Sequence, residues 1–315
     1  MMQMFKVLEP GAYTTIQDRG RLGYQQFGVP ITGPVDEFAF RLANMLVGNS
    51  EDAAALELTV LGPSLRVLGE ADVAVTGAQM PVHRNDEQIP VWISFRVKPG
   101  DTIRVRMARN GCRSYLAVSG GIDVPVVMGS RSTYVGAKLG GIEGRPIMKG
   151  DVINRGESDL LHAPRRTPVD LVPDYPNRIL VRAMAGPQDY HFDEGHETFF
   201  SEEFVVTSKA DRMGYRLEGP VIKPKEGAPF SIISEPSVPG GVQIPPDGQP
   251  IIVLVEQTSG GYSKIATVVS SDIRRVAQAK PGDRIRFELV DLETAHSLFR
   301  RQEDLLQRTK ELFAT

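Results

Sequence analysis

One cysteine, one tryptophan and no excess of basic charge set the first limits on this 315-residue chain. A lone thiol, Cys112, cannot form a disulfide within the chain, which fits a reducing cytoplasm. Lys and Arg number 36 against 39 Asp and Glu, a net charge of −3, so no cationic surplus exists to displace counterions from a nucleic acid. No apolar run approaches the about 20 residues of a membrane span, and Met1 to Pro10 lacks the apolar core of a signal peptide. Neither nucleic acid nor membrane is an expected partner. Two chemistries are excluded by missing motifs. Without a Gly-x-x-x-x-Gly-Lys-Ser/Thr run there is no P-loop nucleotide site, and without Gly-x-Ser-x-Gly there is no ordinary serine-hydrolase elbow. His191-Phe-Asp-Glu-Gly-His196 holds ligand-type residues, but its i, i+5 histidine spacing suits neither a helix face nor a zinc knuckle, and no metal is expected. Met148-Lys149 has the dipeptide of a biotin acceptor, yet Gly150 follows and the flanks differ, so no biotin is expected on this chain.

The composition, 41% hydrophobic and 24% charged, is that of a soluble globular protein long enough for two domains. The 31 Gly and 23 Pro suit many short strands joined by turns. Strands are expected at Ala71 to Thr76, Ile103 to Met107, Tyr115 to Val118, Ile179 to Met184, Phe204 to Thr207, Ile251 to Val255 and Ile265 to Val269, each rich in β-branched residues. Helices are few. Asp36 caps a predicted helix over Glu37 to Val47 with Gly48 as its stop, a shorter one runs from Asp272 to Ala279, and a C-terminal one opens at Asp291. Lys98-Pro99-Gly100-Asp101 is matched by Lys280-Pro281-Gly282-Asp283, with Lys149-Gly150-Asp151 as a partial third copy. Such turns fit an internal duplication and also arise independently. The segment 156–177, rich in Pro, Arg and Asp, reads as a connection between domains over 1–155 and 178–315.

Several constellations carry chemistry, each with a structural reading beside it. Tyr115 to Val118 runs into Gly120-Gly121, and Ser130, Arg131, Ser132 and Thr133 follow; glycine turns beside hydroxyls and a guanidinium hold carboxylates or phosphates, or simply form a surface loop. Gln17-Asp18-Arg19-Gly20-Arg21 places Arg19 and Arg21 on one side of an extended segment, as a carboxylate clamp or as an internal ion pair with Asp18. Gly33-Pro34-Val35-Asp36 offers open amides at a helix start, which Asp36 equally satisfies as a cap. In the second half, Arg212 can hold a carboxylate or acyl-phosphate, Asp211 can orient Arg212 or act as a base, and Gln243 can donate to a developing oxyanion. Gly260 and Gly261 allow close backbone approach to a ligand or a neighbouring strand, and Tyr262 beside them offers a hydroxyl.

Taken in order, these blocks resemble one family. They run from Thr14-Thr15-Ile16-Gln17-Asp18-Arg19-Gly20-Arg21 through Gly33-Pro34-Val35-Asp36, Val47-Gly48-Asn49 and Ala55-Leu56-Glu57. They continue to Asp211-Arg212-Met213-Gly214-Tyr215, Val242-Gln243-Ile244-Pro245 and Gly260-Gly261-Tyr262. The chain is similar, almost end to end, to the family that holds the C subunit of 5-oxoprolinase and allophanate hydrolase subunit 2. The resemblance implies a mainly β chain of two cyclophilin-like β-barrel units with a few short helices. It implies ATP-dependent hydrolysis of 5-oxoproline to L-glutamate, with ATP used by a complex of several chains. The companions it implies are a B subunit, similar to allophanate hydrolase subunit 1, and an A subunit of the lactam-utilisation type. The family also holds the carboxyltransferase half of a biotin-dependent urea carboxylase, with biotin on another chain, and a non-catalytic antagonist of a histidine-kinase inhibitor. Relatives can carry Asn where Asp211 stands, which favours the orienting role for that residue over proton transfer.

Overall fold

The computed structural model describes residues 2–229 and 231–314. Two compact units divide the chain, the first comprising Met1–Leu22, Thr32–Asp174 and Leu306–Thr315, the second Gly23–Ile31 and Tyr175–Leu305.

Twelve strands of the described residues lie in the first unit. They are β1 (Met2–Glu9), β2 (Tyr13–Gln17), β3 (Ala55–Thr59), β4 (Ser64–Val67), β5 (Ala71–Gly77), β6 (Val82–Arg84), β7 (Glu87–Ile89), β8 (Ser94–Val97), β9 (Thr102–Val105), β10 (Arg113–Val118), β11 (Ile122–Asp123) and β12 (Val152–Arg155). They form two sheets, ordered β11-β12-β1-β4-β9-β6-β7 and β2-β3-β10-β5-β8. Both sheets face one core, to which Phe5, Leu58, Leu65, Val73, Ile103 and Leu116 contribute fully buried side chains. Alternation along β10 sends Leu116 and Val118 into that core and Tyr115 and Ala117 to the opposite face. Helix α1 (Glu37–Leu46) covers this second face with Phe38, Phe40, Leu42 and Leu46, and is capped by Asp36, which accepts from Ala39 N at 3.0 Å.

The second unit holds β13 (Arg178–Ala185), β14 (Glu203–Ala210), β15 (Gly214–Glu218), β16 (Ser231–Pro236), β17 (Gly241–Ile244), β18 (Ile251–Val253), β19 (Ser259–Val268) and β20 (Arg284–Leu289). Their order is β13-β20-β14-β15-β18-β17-β19-β16, and β13 also pairs with β19. Seven strands therefore close on themselves among the described residues, and β16 is appended outside the ring on β19. Helix α2 (Glu194–Ser201), which the sequence reading did not foresee, stacks Phe199 on Phe287 at 4.3 Å between ring centroids. Helix α3 (Ile273–Gln278) matches its expected place, and α4 (Leu292–Ala314) ends the chain. From Leu306 onward α4 counts with the first unit, where Leu306 is buried in the cluster around α1. The expected fold class, mainly β with a closed barrel, a few short helices and a C-terminal helix, is the one observed, the closed ring lying in the second unit and two sheets on one core making up the first.

The repeated turn is repeated in three dimensions. The carboxylates of Asp101, Asp151 and Asp283 accept from the backbone N–H three residues earlier, at Lys98, Met148 and Lys280, over 2.9, 2.7 and 3.0 Å. Gly100, Gly150 and Gly282 each take a φ between 93° and 96°, open to glycine at little cost. Each turn also docks the same way, the glycine N–H donating to a valine carbonyl (Val67, Val7, Val206) and that valine's N–H donating back to the aspartate carbonyl.

Candidate functional site

In the first unit the end of β2 meets the loop 127–133 around one carboxylate. Oδ1 of Asp18 accepts from Ser130 Oγ at 2.5 Å, Ser132 Oγ at 2.7 Å and Gly20 N at 3.0 Å, and Oδ2 accepts from Arg131 N at 2.5 Å. Burial pushes this carboxyl up, but the hydrogen bonds from Ser130, the Arg131 backbone, Ser132 and the Gly20 backbone outweigh it and hold the group below the ordinary aspartate range. Arg21 is fully buried and donates to two carbonyls, Val127 O at 3.0 Å and Ser132 O at 2.9 Å. Gln17 is also fully buried and donates to Thr15 Oγ1 and Thr133 O. Gln17, Asp18, Arg21, Ser130 and Ser132 are thus brought together, and what they bind is each other's chain.

Arg19 and Arg21 do not form a clamp. Arg21 points inward, while Arg19 stays exposed and lies 3.6 Å from Glu37. Arg131 joins that cluster through its backbone only; its side chain donates to Val124 O at 3.1 Å with Asp123 at 3.7 Å. The glycine pair after β10 is a packing device, since a β-carbon at Gly120 would stand 2.3 Å from the carbonyl of Gly156. Asp36 serves as the helix cap, and its N–H donates to Tyr115 Oη, which in turn donates to Glu57.

In the second unit the ends of β15 to β19 bring a different group together. Arg212 is buried and its Nε donates to Glu256 Oε1 at 2.6 Å, so Glu256, a residue the sequence reading missed, is what orients it. The exposed carboxylate of Asp211 closes its own turn, accepting from Met213 N at 2.8 Å and Gly214 N at 3.1 Å. Gln243 on β17 stands opposite Lys264 on β19. The Nε2 of Gln243 is buried without an acceptor among the described residues, and it fits against Gly260, where a β-carbon would lie 2.2 Å from it. Gly261 lies against the backbone of β16, where an added β-carbon would stand 3.3 Å from Ile232 O, and Tyr262 is partly exposed on the same strand.

Lys264 is the second residue that escaped the sequence reading. Its ammonium is buried and ion-paired with Glu235 on β16, while Gln188 accepts from Lys264 N at 3.1 Å and donates to Glu235 Oε1 at 3.4 Å. The lysine holds the Glu235 carboxyl below the ordinary glutamate range, against a smaller opposing effect of burial. The two histidines singled out from sequence lie apart in role, His191 Nδ1 at 2.9 Å from Ser263 Oγ and His196 on α2 beside Phe200. Among the described residues no group of three or more His, Cys, Asp or Glu is placed to hold a metal ion, and no helix is long and apolar enough to cross a membrane.

The family described as carboxyltransferase domain, subdomain A and B, matches residues 27–289. The chain belongs to this family. It is 38% identical over 296 residues to the C subunit of 5-oxoprolinase from Escherichia coli, covering 93% of each chain. To the same subunit from Haemophilus influenzae it is 33% identical over 311 residues, covering 98% of each. The crystal structure of K. lactis urea amidolyase superposes with a TM-score of 0.92 at 34% identity, over 97% of this chain but only 20% of that one. The chain thus spans nearly all of the bacterial subunits and about a fifth of the amidolyase. Both bacterial relatives are named as subunits of an enzyme.

Proposed function

We propose that this chain is the C subunit of a multi-subunit 5-oxoprolinase that opens 5-oxoproline to L-glutamate with hydrolysis of ATP. The observation that carries this reading is reciprocal coverage. Every part of the E. coli subunit bar 7% has a counterpart here, at 38% identity, whereas four fifths of the amidolyase has none. The site chemistry supports it. A five-membered lactam is a stable amide, and phosphorylation of its oxygen makes the ring carbon open to water, so the site must hold a carboxylate and neutralise charge growing on oxygen. Arg212 would act on the reaction through Glu256, fixing the loop that meets Gln243 at Gly260, and Gln243 would donate to the developing oxyanion. Arg19 and Arg131 keep their guanidinium groups partly exposed and remain available to an anion.

This reading leaves ATP to another chain of the complex. No P-loop is present, and the recess of about 520 Å³ at the β6–β7 hairpin is lined only by Arg, Lys, Asn, Asp and Glu, with no apolar wall for a base. The nucleotide is assigned to a companion chain of the complex. The test is glutamate release from 5-oxoproline by this chain purified with its companions. Release that needs both ATP and this chain supports the reading; a well-assembled complex without release overturns it.

A second reading draws on the TM-score of 0.92 against urea amidolyase. As the carboxyltransferase of a biotin-dependent urea carboxylase, the chain would depend on biotin carried elsewhere, because Lys149 lies in the tight Met148–Asp151 turn. Stimulation by urea and bicarbonate, in place of 5-oxoproline turnover, would mark it.

A further inference from the structure

We propose that Lys264, Gln188 and Gln243 form a binding site for a small organic carboxylate, in which the side chain of Glu235 holds the anion's place until the ligand displaces it. The two charges of the Lys264–Glu235 pair are unequally embedded: the lysine side chain is 5% exposed, the glutamate 43%. The cation is built into the closed barrel, on β19, and the anion reaches it from β16, the strand outside the ring. Glu235 can leave without opening the barrel.

The donors are arranged for a carboxylate. Lys264 Nζ and Gln188 Nε2 converge on a single oxygen, Oε1 of Glu235, and the amide of Gln188 is fixed because its own oxygen accepts from Lys264 N. Gln243, directly across the ladder from Lys264, is 2% exposed and its Nε2 has no acceptor among the described residues. Leaving such a donor buried and unpaired is unfavourable, and a ligand oxygen would relieve it. A carboxylate supplies two oxygens, one for the place of Glu235 Oε1 and one for Gln243. Gly260 makes room for the Gln243 amide beside this pair, since it stands opposite Glu235 in the β16–β19 ladder and any β-carbon there would collide with that amide. Identification of the ligand with 5-oxoproline rests on the proposed function; the anion site does not.

The test is calorimetric titration of the full chain, alone and in its complex, with L-5-oxoproline and with cyclopentanecarboxylate, which shares the ring size and carboxylate but has no lactam. Glu235→Gln keeps the shape and removes the competing charge, so both probes should bind about tenfold more tightly. This gain cannot come from misfolding. Lys264→Met should weaken both probes at least about tenfold. Unchanged affinity in Glu235→Gln, or no binding of either probe to that variant, overturns the site. Lys264-dependent binding in a complex that releases no glutamate keeps the site and removes the oxoprolinase reading. Glutamate release by Lys264→Met with an unaltered KM removes the site and keeps that reading.

Discussion

Gly260 and Gln243 are fitted to one another, with the amide nitrogen of the glutamine occupying the space that a β-carbon on the glycine would need, 2.2 Å away. Gly260 is not among the glycines with a left-handed φ, so its backbone accepts alanine. The obstructed atom is the end of a flexible side chain, which can swing aside. Gly260→Ala should therefore fold, with its thermal transition lowered by no more than a few degrees, while the displaced amide lowers 5-oxoproline turnover in the complex at least about tenfold. Circular dichroism melting and glutamate release check the two halves; a normal rate with a normal melt would remove Gln243 from the chemistry.

Arg212 and Glu256 form a buried ion pair, and such pairs respond differently to single and double replacement. Arg212→Ala leaves a carboxylate buried without its guanidinium and should cost about 3–5 kcal/mol in urea unfolding. Turnover should fall at least about tenfold, because the loop carrying Glu256 and Gln257 loses its anchor beside Gly260. Arg212→Met combined with Glu256→Leu should recover most of the stability but not the turnover. Recovery of both would reduce the pair to a structural role.

The three related turns allow a graded measurement. Asp283 accepts from Lys280 N and sits near the Lys280 ammonium, Asp101 adds a hydrogen bond from Asn85, and Asp151 adds a two-point contact from Arg145 at 2.8 and 3.0 Å. Replacement by Ala should cost least at Asp283 and most at Asp151, spanning about 1–3 kcal/mol in chemical denaturation. Equal losses at all three would show that the backbone bond alone matters.

How far the sequence could be read follows from the range of the forces involved. Local rules placed α1, because Asp36 and Gly48 bound it and Phe38, Leu42, Met45 and Leu46 share its buried face. They also placed the three turns, whose Pro-Gly-Asp or Gly-Asp composition fixes the geometry within four residues. The positions of several strands were visible, but not that β13 would run parallel to β20 and close on β19, since pairing between segments far apart leaves no local mark. The same limit hid the site. Arg212 was visible as a cation, yet its partner Glu256 lies 44 residues on, and Asp211, its neighbour in sequence, turned away to close a turn. Lys264 reads as an ordinary surface lysine until β16 and β19 are paired. Helix α2 was missed because Glu194–Ser201 is short and carries only Phe199 and Gly195 buried, too little periodicity to register.

Asp18 ties β2 to the loop 127–133 through a charge, and its contribution should titrate. Hydrogen bonds from Ser130, Ser132 and two backbone N–H groups overcome the effect of burial and lower its folded-state pKa. A carboxylate whose pKa is lower in the folded than in the unfolded chain stabilises the fold above the unfolded value, about 3.9, and loses that contribution as the pH falls through the folded value. Asp18→Asn removes the charge and turns an amide donor towards either the Arg131 N–H or the two serines, so it should cost about 2 kcal/mol or more near neutral pH. Because the wild type loses the charge on acidification and the variant has none to lose, the difference should narrow as the pH is lowered towards about 3. Urea unfolding of both proteins at the two pH values makes the comparison. A gap that stays constant would mean that the loop is held by shape and neutral hydrogen bonds, with the charge of Asp18 adding nothing.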